Sequence, residues 1–194
     1  AALDWGRDPL APEKDEELLA MDICCQAIIA YAGRHADKAG ELAKTEADPR
    51  RRRELEEIAQ VCRWVPANAP RTFWEALQAY WFVHLGVITE LNTWDSFNPG
   101  HLDQHLWPFY QRELARGSLE REGAKELLQC FWIKFNNQPA PPKVGVTAAE
   151  SGTYTDFANI NNGGLKKDGS DAVNEVTYLI LEVIDELRLL QPST

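Results

Sequence analysis

The stretch that decides the fold is NINNGGLKKDGSDAVNEVTYLILEVIDELRLLQPST, residues 159–194. Its paired glycines and the following Asp-Gly predict two successive turns, because glycine adopts the backbone angles that tight turns require. After these turns, apolar residues recur every three or four positions, which predicts an amphipathic helix that Asp171 opens. The helix then meets Gln191-Pro192, a turn that normally introduces another element, so we expect the chain to be a fragment of a longer protein.

Helical spacing of apolar residues recurs through the rest of the chain and predicts a mainly α fold. Six helices are predicted, over residues 13–44, 49–65, 73–87, 101–116, 119–136 and from residue 171 onward. Asp48 is the expected cap of the second helix, and Thr72 with Glu75 forms a capping box at the start of the third. Apolar residues cover nearly all sides of this third helix, so we expect the fold to enclose it.

Two polar segments interrupt the helical pattern. Residues 89–100 mix polar and aromatic side chains irregularly and end in Asn98-Pro99-Gly100, which forces a turn, so a loop is predicted. Residues 138–164 are rich in proline, glycine and small polar residues but also contain scattered apolar ones. We interpret this second segment as an ordered loop that helps to build a pocket and contains one or two short strands.

Composition and charge narrow the class of protein. A chain of 194 residues that is 44% hydrophobic and 26% charged fits one or two globular domains. Its net charge of −10 repels phosphates and argues against non-specific nucleic-acid binding. The basic run at residues 50–53 precedes Glu54, Glu56 and Glu57, which favours a solvated helix face. No apolar run reaches about eighteen residues and no signal-peptide pattern opens the chain, so a cytoplasmic protein is predicted.

Common motifs of cofactor binding and nucleophilic catalysis are absent from the sequence. It contains no GxGxxG, GxxxxGK[ST], GxSxG or CxxC pattern, which argues against dinucleotide, nucleotide, serine-hydrolase and thioredoxin-like functions. Four cysteines lie in apolar helical settings: Cys24, Cys25, Cys62 and Cys130. We expect them to be buried thiols rather than a disulfide framework or a zinc site.

The histidines provide a weak indication of a metal site. His101 and His105 are four residues apart beside Asp103 and could together bind a metal ion. No HExxH pattern accompanies them, and Asp103 is as easily an acid at a helix start, so no metal is predicted. His84 lies in the middle of the enclosed helix and is expected to be a hydrogen-bonded core histidine.

The irregular segment after the enclosed helix holds the candidate binding residues. Asn92, Trp94 and Asp95 place an amide, an indole and a carboxylate within four residues. A carboxylate can accept hydrogen bonds from substrate hydroxyl or ammonium groups while an indole closes a pocket. The alternative is that Asp95 caps a turn and Trp94 fills the core.

Five blocks of the sequence together resemble the glycyl radical enzymes related to pyruvate formate-lyase. The blocks are residues 34–46, 54–66, 70–78 (PRTFWEALQ), 100–110 (GHLDQHLWPFY) and 163–192. The resemblance is to the branch that includes glycerol, choline and sulfonate lyases. It implies that residues 1–194 are a partial pyruvate formate-lyase-type domain, truncated at the C-terminus, which forms the N-terminal part of a ten-stranded α/β barrel.

The resemblance also implies a mechanism. In this family a glycyl radical near the C-terminus generates a thiyl radical on a mid-chain cysteine, and the thiyl radical attacks the substrate. Both residues are expected beyond Thr194, so none of the four cysteines is catalytic and the chain alone is expected to be inactive. No cofactor is bound directly, because an S-adenosylmethionine-dependent iron-sulfur activating enzyme installs the radical. The family is usually homodimeric.

For the substrate, the resemblance implies that the loop after the enclosed helix contacts it. Either Trp94 or Asp95 takes the binding position, and chemistry favours Asp95. An acid there favours hydroxyls or a cation over a sulfonate, and Trp94 could stack on a quaternary ammonium group. His101 follows Gly100, at a position where the family usually has an arginine.

The expected function is therefore lyase chemistry that eliminates water, an amine or sulfite from a small polar substrate. One alternative is a formate acetyltransferase-like enzyme, which would need adjacent catalytic cysteines in the missing part. Cys24-Cys25 is adjacent but lies inside the first helix. The other alternative is a non-catalytic helical binding or assembly module.

Overall fold

The computed structural model describes residues 3–91, 97–137 and 158–194. Six α-helices are present: α1 Ala11–Thr45, α2 Pro49–Trp64, α3 Phe73–Gly86, α4 Leu102–Arg116, α5 Arg121–Asn137 and α6 Glu175–Leu187. A π-helical turn, Val87–Leu91, continues directly from α3. The described residues contain isolated β-bridges but no strand, so the mainly α prediction is confirmed for this part of the chain.

Most helix boundaries lie within two residues of the prediction, and two differ by more. The predicted loop from residue 89 begins instead as the π-helical turn. The last helix begins at Glu175 rather than at Asp171, because Asn174 provides the cap. The Asn174 side chain accepts from the backbone N–H of Val176 at 2.9 Å, and the Thr177 hydroxyl oxygen accepts from the backbone N–H of Asn174 at 3.0 Å. Asp171 instead closes the preceding turn, where it forms an antiparallel bridge with Leu165.

Residues Ala1–Asn68 form one compact unit, in which α1 and α2 pack against each other. The buried positions of α1 in this unit are small: Ala11, Ala32, Ala36, Ala39 and Ala43. Asp48 caps α2 as predicted and accepts from the N–H of Arg50 at 2.9 Å. Glu54 pairs with Arg50 and Arg51, which confirms a solvated, charged helix face.

Three of the four cysteines are exposed, which corrects the prediction of buried thiols. Cys24 and Cys25 lie in the N-terminal half of α1. Because α2 has 16 residues and α1 has 35, α2 is too short to cover the whole of α1. Cys130 lies on α5 beside, rather than within, its buried face. Only Cys62 is buried, and its burial raises the pKa of the thiol to about 11.

Residues Ala69–Thr194 form the second compact unit, which contains α3, α4, α5 and α6. Helix α3 packs against α4 and α5, and α6 packs against the same two helices. The core is apolar and rich in aromatic rings, and it includes Phe73, Trp81, Tyr110, Phe131, Trp132 and Phe135. The third helix is thus enclosed, as its sequence predicts, with Phe73, Leu77, Trp81 and Phe82 all buried.

Three short extended segments meet within this second unit. His101 forms a parallel bridge with Asn161, and Asn159 forms a parallel bridge with Ser193. Backbone hydrogen bonds of 2.8 Å join Ile160 N–H to the Ser193 carbonyl and Ser193 N–H to the Ala158 carbonyl. These bridges place the start of α4 and the segment around Ser193 beside the same central segment, residues 159–161.

Candidate functional site

The predicted binding residues Asn92, Trp94 and Asp95 lie outside the described residues, so their role stays a prediction. The described structure does show what holds the chain on both sides of them. On the N-terminal side, α3 runs into the π-helical turn Val87–Leu91. Single π turns occur frequently at functional sites. On the C-terminal side, residues 97–104 are bound to α3, to the 158–164 segment and to α6.

Phe97 is held by the hydroxyl group and by the ring of Tyr80, a residue of α3. The Tyr80 hydroxyl donates to the Phe97 carbonyl oxygen at 3.0 Å and lies 3.1 Å from His84 Nδ1. The Tyr80 and Phe97 rings stack with centroids 5.9 Å apart and planes inclined by 6°. One residue further, the Asn98 side-chain oxygen accepts from the backbone N–H of Asn159 at 2.7 Å.

His84 is a buried, hydrogen-bonded histidine, as its position in the enclosed helix predicts. Its ring lies 4.5 Å from the Phe135 ring and 5.1 Å from the Trp81 ring, measured between centroids. Burial among these aromatic rings lowers the pKa of His84 to about 4, although a backbone hydrogen bond at Phe97 opposes the shift. The imidazole is therefore neutral near pH 7.

Asp103 links the start of α4 to two other segments and is completely buried. One carboxylate oxygen accepts from the backbone N–H of Gly163 at 2.7 Å and from the Thr177 hydroxyl. The next residue, Gln104, donates through its side-chain amide to the Gly163 carbonyl at 2.6 Å. Asp103 is thus more than an acid at a helix start, because it joins α4 to the glycine turn and to α6.

The glycine turn is shaped by positive φ angles. Gly163 has φ +65° and Gly164 has φ +79°, a region that residues with a Cβ rarely adopt. A Cβ on Gly164 would lie 3.2 Å from His101 Cε1. The glycines of this turn predict it from the sequence, but its contact with the start of α4 appears only in the structure. One signal of this contact was present in the sequence, because Gly163-Gly164 and the GHLDQ motif at residues 100–104 both belong to the blocks that resemble the family.

Within the described ranges, no group of three or more histidine, cysteine, aspartate or glutamate side chains is placed to hold a metal ion. Asp103, which the sequence places between His101 and His105, directs one carboxylate oxygen to Gly163 and Thr177. In the part of the chain that the structure describes, no helix is long and apolar enough to cross a membrane.

Comparison with known proteins defines the class. The family model described as "Pyruvate formate lyase-like" matches residues 1–194, and the chain belongs to this family. Its relatives are glycyl radical enzymes, as the sequence resemblance predicts.

The chain is similar to trans-4-hydroxy-L-proline dehydratase of Clostridioides difficile, with 55% identity over 192 residues. This match covers 99% of the chain and 24% of the dehydratase. The crystal structure of that enzyme with trans-4-hydroxy-L-proline bound superposes with a TM-score of 0.91 over 98% of the chain and 24% of the enzyme chain. Isethionate sulfite-lyase of Nitratidesulfovibrio vulgaris is 41% identical over 96% of the chain and 23% of its own length. The chain therefore spans about a quarter of the length of these relatives.

Proposed function

We propose that this chain is part of a glycyl radical dehydratase that removes water from a hydroxylated cyclic amino acid of the trans-4-hydroxy-L-proline type. The observation that carries the proposal is the 55% identity to the hydroxyproline dehydratase across 99% of the chain. Identity to the isethionate sulfite-lyase over a similar span is 41%. The difference favours water over sulfite as the leaving group.

The chemistry of the predicted binding loop supports the same choice. A hydroxyproline offers a hydroxyl group and a secondary ammonium, and Asp95 can accept a hydrogen bond from either. Trp94 can cover the apolar face of a small ring or stack on its ammonium group. Asn92 offers both a donor and an acceptor. A sulfonate such as isethionate carries a net negative charge that the Asp95 carboxylate would repel, whereas the ammonium of hydroxyproline balances its own carboxylate.

The remainder of the proposed enzyme supplies the radical. A thiyl radical takes a hydrogen atom from the carbon next to the one that bears the hydroxyl group. The hydroxyl would leave as water together with a proton from the ring ammonium, and the product radical would regain a hydrogen atom from the cysteine thiol. The glycyl radical that generates the thiyl radical is installed by an S-adenosylmethionine-dependent iron-sulfur activating enzyme. We further propose that the full-length enzyme closes the α/β barrel, forms a homodimer and is located in the cytoplasm.

The test is to assay the full-length protein after anaerobic activation. Electron paramagnetic resonance of the activated protein should show a glycyl radical, and trans-4-hydroxy-L-proline should be consumed with loss of one water per molecule. Isethionate and glycerol serve as competing substrates under the same conditions. Radical formation with sulfite release from isethionate, and no consumption of hydroxyproline, would reject the proposed substrate class.

Asp95→Asn tests the predicted contact within the same assay. We expect kcat/KM for hydroxyproline to fall by about tenfold or more, because a charge-assisted hydrogen bond is lost. The control is Asp185→Asn, which removes a carboxylate whose side chain is 83% exposed. Equal kinetics for Asp95→Asn and the control would remove Asp95 from the site.

A further inference from the structure

We propose that Tyr80 and His84 are positioning residues that hold the C-terminal end of the substrate-binding loop through the Phe97 carbonyl. The inference deepens the proposed function and rests on it for the role of the loop. Neither residue was singled out for this role by its sequence pattern.

The two residues stand on a firmly anchored helix. The N-terminus of α3 is capped by Thr72, whose hydroxyl oxygen accepts from Glu75 N–H at 3.1 Å. The carboxylate of Glu113, a buried residue of α4, accepts from the backbone N–H of Phe73 at 2.5 Å. With its first turn held twice and its apolar side chains buried in the core, α3 is a rigid platform for Tyr80.

The hydrogen-bond directions follow from the groups involved. The Phe97 carbonyl oxygen can only accept, so the single hydroxyl proton of Tyr80 is directed to it over 3.0 Å. The contact of 3.1 Å between the Tyr80 oxygen and His84 Nδ1 then requires a proton on Nδ1. We therefore assign the Nδ1-protonated tautomer to His84, in which His84 donates to Tyr80 and Tyr80 donates to the Phe97 carbonyl oxygen.

The packing around the pair keeps this arrangement in place. The Trp81 ring stacks on the His84 ring with planes inclined by 18°, and the Phe135 ring lies against another side of it. Burial lowers the pKa of His84 and raises that of Tyr80, so both groups are neutral at pH 7. A neutral donor and a neutral acceptor fit this site without an uncompensated buried charge.

The clamp at Phe97 constrains Asp95 because the two residues are only two positions apart. Two residues of extended backbone span at most about 7 Å, so an anchored Phe97 restricts the volume that Asp95 can reach. Loss of the Tyr80 hydroxyl would keep the ring stacking and the Asn98 contact with Asn159, but it would remove the hydrogen bond to the Phe97 carbonyl and so widen that volume. The expected effect is on substrate binding, since neither residue reacts with the substrate.

The experiment is Tyr80→Phe in the full-length, activated enzyme, with hydroxyproline as the substrate. The variant keeps the ring and its stacking on Phe97 but loses the hydrogen bond. We expect KM to rise by about tenfold, the equivalent of a lost buried hydrogen bond, while kcat and the yield of glycyl radical change by less than about twofold. The matched control is Tyr110→Phe, a buried tyrosine of α4 that packs on Phe73 and Trp107 instead.

His84 is tested by rescue. His84→Leu should reproduce the higher KM of Tyr80→Phe, and His84→Asn should restore much of the wild-type KM, because its amide nitrogen can donate from a position close to Nδ1. Unchanged KM in Tyr80→Phe, or an equal rise in Tyr110→Phe, would overturn the proposal.

Hydrogen exchange separates this proposal from the proposed substrate. Tyr80→Phe should accelerate amide exchange in a peptide that covers residues 92–98, whatever substrate the enzyme uses, while Tyr110→Phe should not. If the wild-type enzyme is inactive on hydroxyproline, the substrate class fails, and the exchange data still decide the role of Tyr80. Equal exchange in wild type and Tyr80→Phe would overturn the clamp.

Discussion

The two compact units of the chain achieve order in different ways. In residues Ala1–Asn68, α1 and α2 meet through a seam of alanines, and large apolar side chains of α1 stay exposed. In residues Ala69–Thr194, four helices share a core of aromatic and branched aliphatic side chains. Burial of large side chains contributes most of the stability of a fold, so we infer that the second unit depends on packing and the first on local helix formation.

The polar interactions of the two units differ in range, although the exposed pair of Arg63 and Asp37 in the first unit also joins α2 to α1 across 26 positions. Glu54 pairs with Arg50 and Arg51 within one or two turns of α2. In the second unit, Arg121 pairs with Glu182, 61 positions away, and Asp103 accepts from Gly163, 60 positions away. Short-range pairs strengthen one helix, whereas long-range pairs fix the position of one element against another.

A leucine-to-alanine substitution in each unit should give the largest difference between the units in the loss of unfolding free energy. Leu128→Ala in α5 removes a fully buried side chain, and we expect the free energy of unfolding to fall by about 2–5 kcal/mol. Leu18→Ala in α1 removes a side chain that is 51% exposed, and we expect a change within about 0.5 kcal/mol. Urea unfolding of the 194-residue chain, followed by circular dichroism, measures both.

Comparable losses for the two variants would refute the contrast between the units. The same two variants in the full-length protein sharpen the comparison between the units further. A much larger loss for Leu18→Ala there than in the 194-residue chain would show that another part of the protein covers α1.

The buried histidine gives the second unit a specific response to acid. Since the pKa of His84 is about 4 in the folded state and about 6.5 when unfolded, the unfolded state binds more protons between these values. Stability should therefore be complete above about pH 6.5 and decrease as the pH falls towards 4, by up to roughly 3 kcal/mol. Urea unfolding of the full-length wild type and of His84→Gln, measured at several pH values, isolates this contribution. Parallel pH curves for the two proteins would show that His84 does not cause the decrease.

Alanine substitution of glycine should have opposite signs in the two units. Gly164→Ala should destabilise by about 1–3 kcal/mol, because Gly164 has φ +79° and a Cβ would lie close to His101. Gly33→Ala, inside α1 with nothing within 4 Å of the new Cβ, should stabilise by about 0.5–1 kcal/mol. Thermal unfolding of both variants checks the signs. A stabilising Gly164→Ala would mean that the turn tolerates a side chain.

Much of the local structure could be predicted from the sequence. The caps at Asp48 and Thr72 were recognised because a short polar side chain before an apolar periodic run satisfies the first backbone N–H groups of a helix. The capping box at Thr72 was confirmed only in part. Its Glu75 carboxylate accepts at 2.6 Å from the backbone N–H of Arg71, one residue before the cap.

Burial and long-range contacts were harder to predict. The exposed thiols of Cys24 and Cys25 were expected to be buried, because helical periodicity identifies an apolar face without showing whether anything covers it. The start of α6 was missed by four residues, since Asp171 and Asn174 are both acceptable caps and only the turn geometry selects Asn174. The substrate-binding roles of Asn92, Trp94 and Asp95 stay predictions.

The sequence by itself determined the helices, the caps of α2 and α3, the glycine turns and the family, because these depend on residue types at short spacing and on ordered blocks of identity. Only the tertiary structure decided that Asp103 reaches Gly163 and Thr177, and that Tyr80 and His84 hold Phe97. Such contacts join residues that are up to 74 positions apart in the chain. A buried polar group takes the partner that the packing of the helices brings within about 3 Å, and sequence spacing carries no record of that distance.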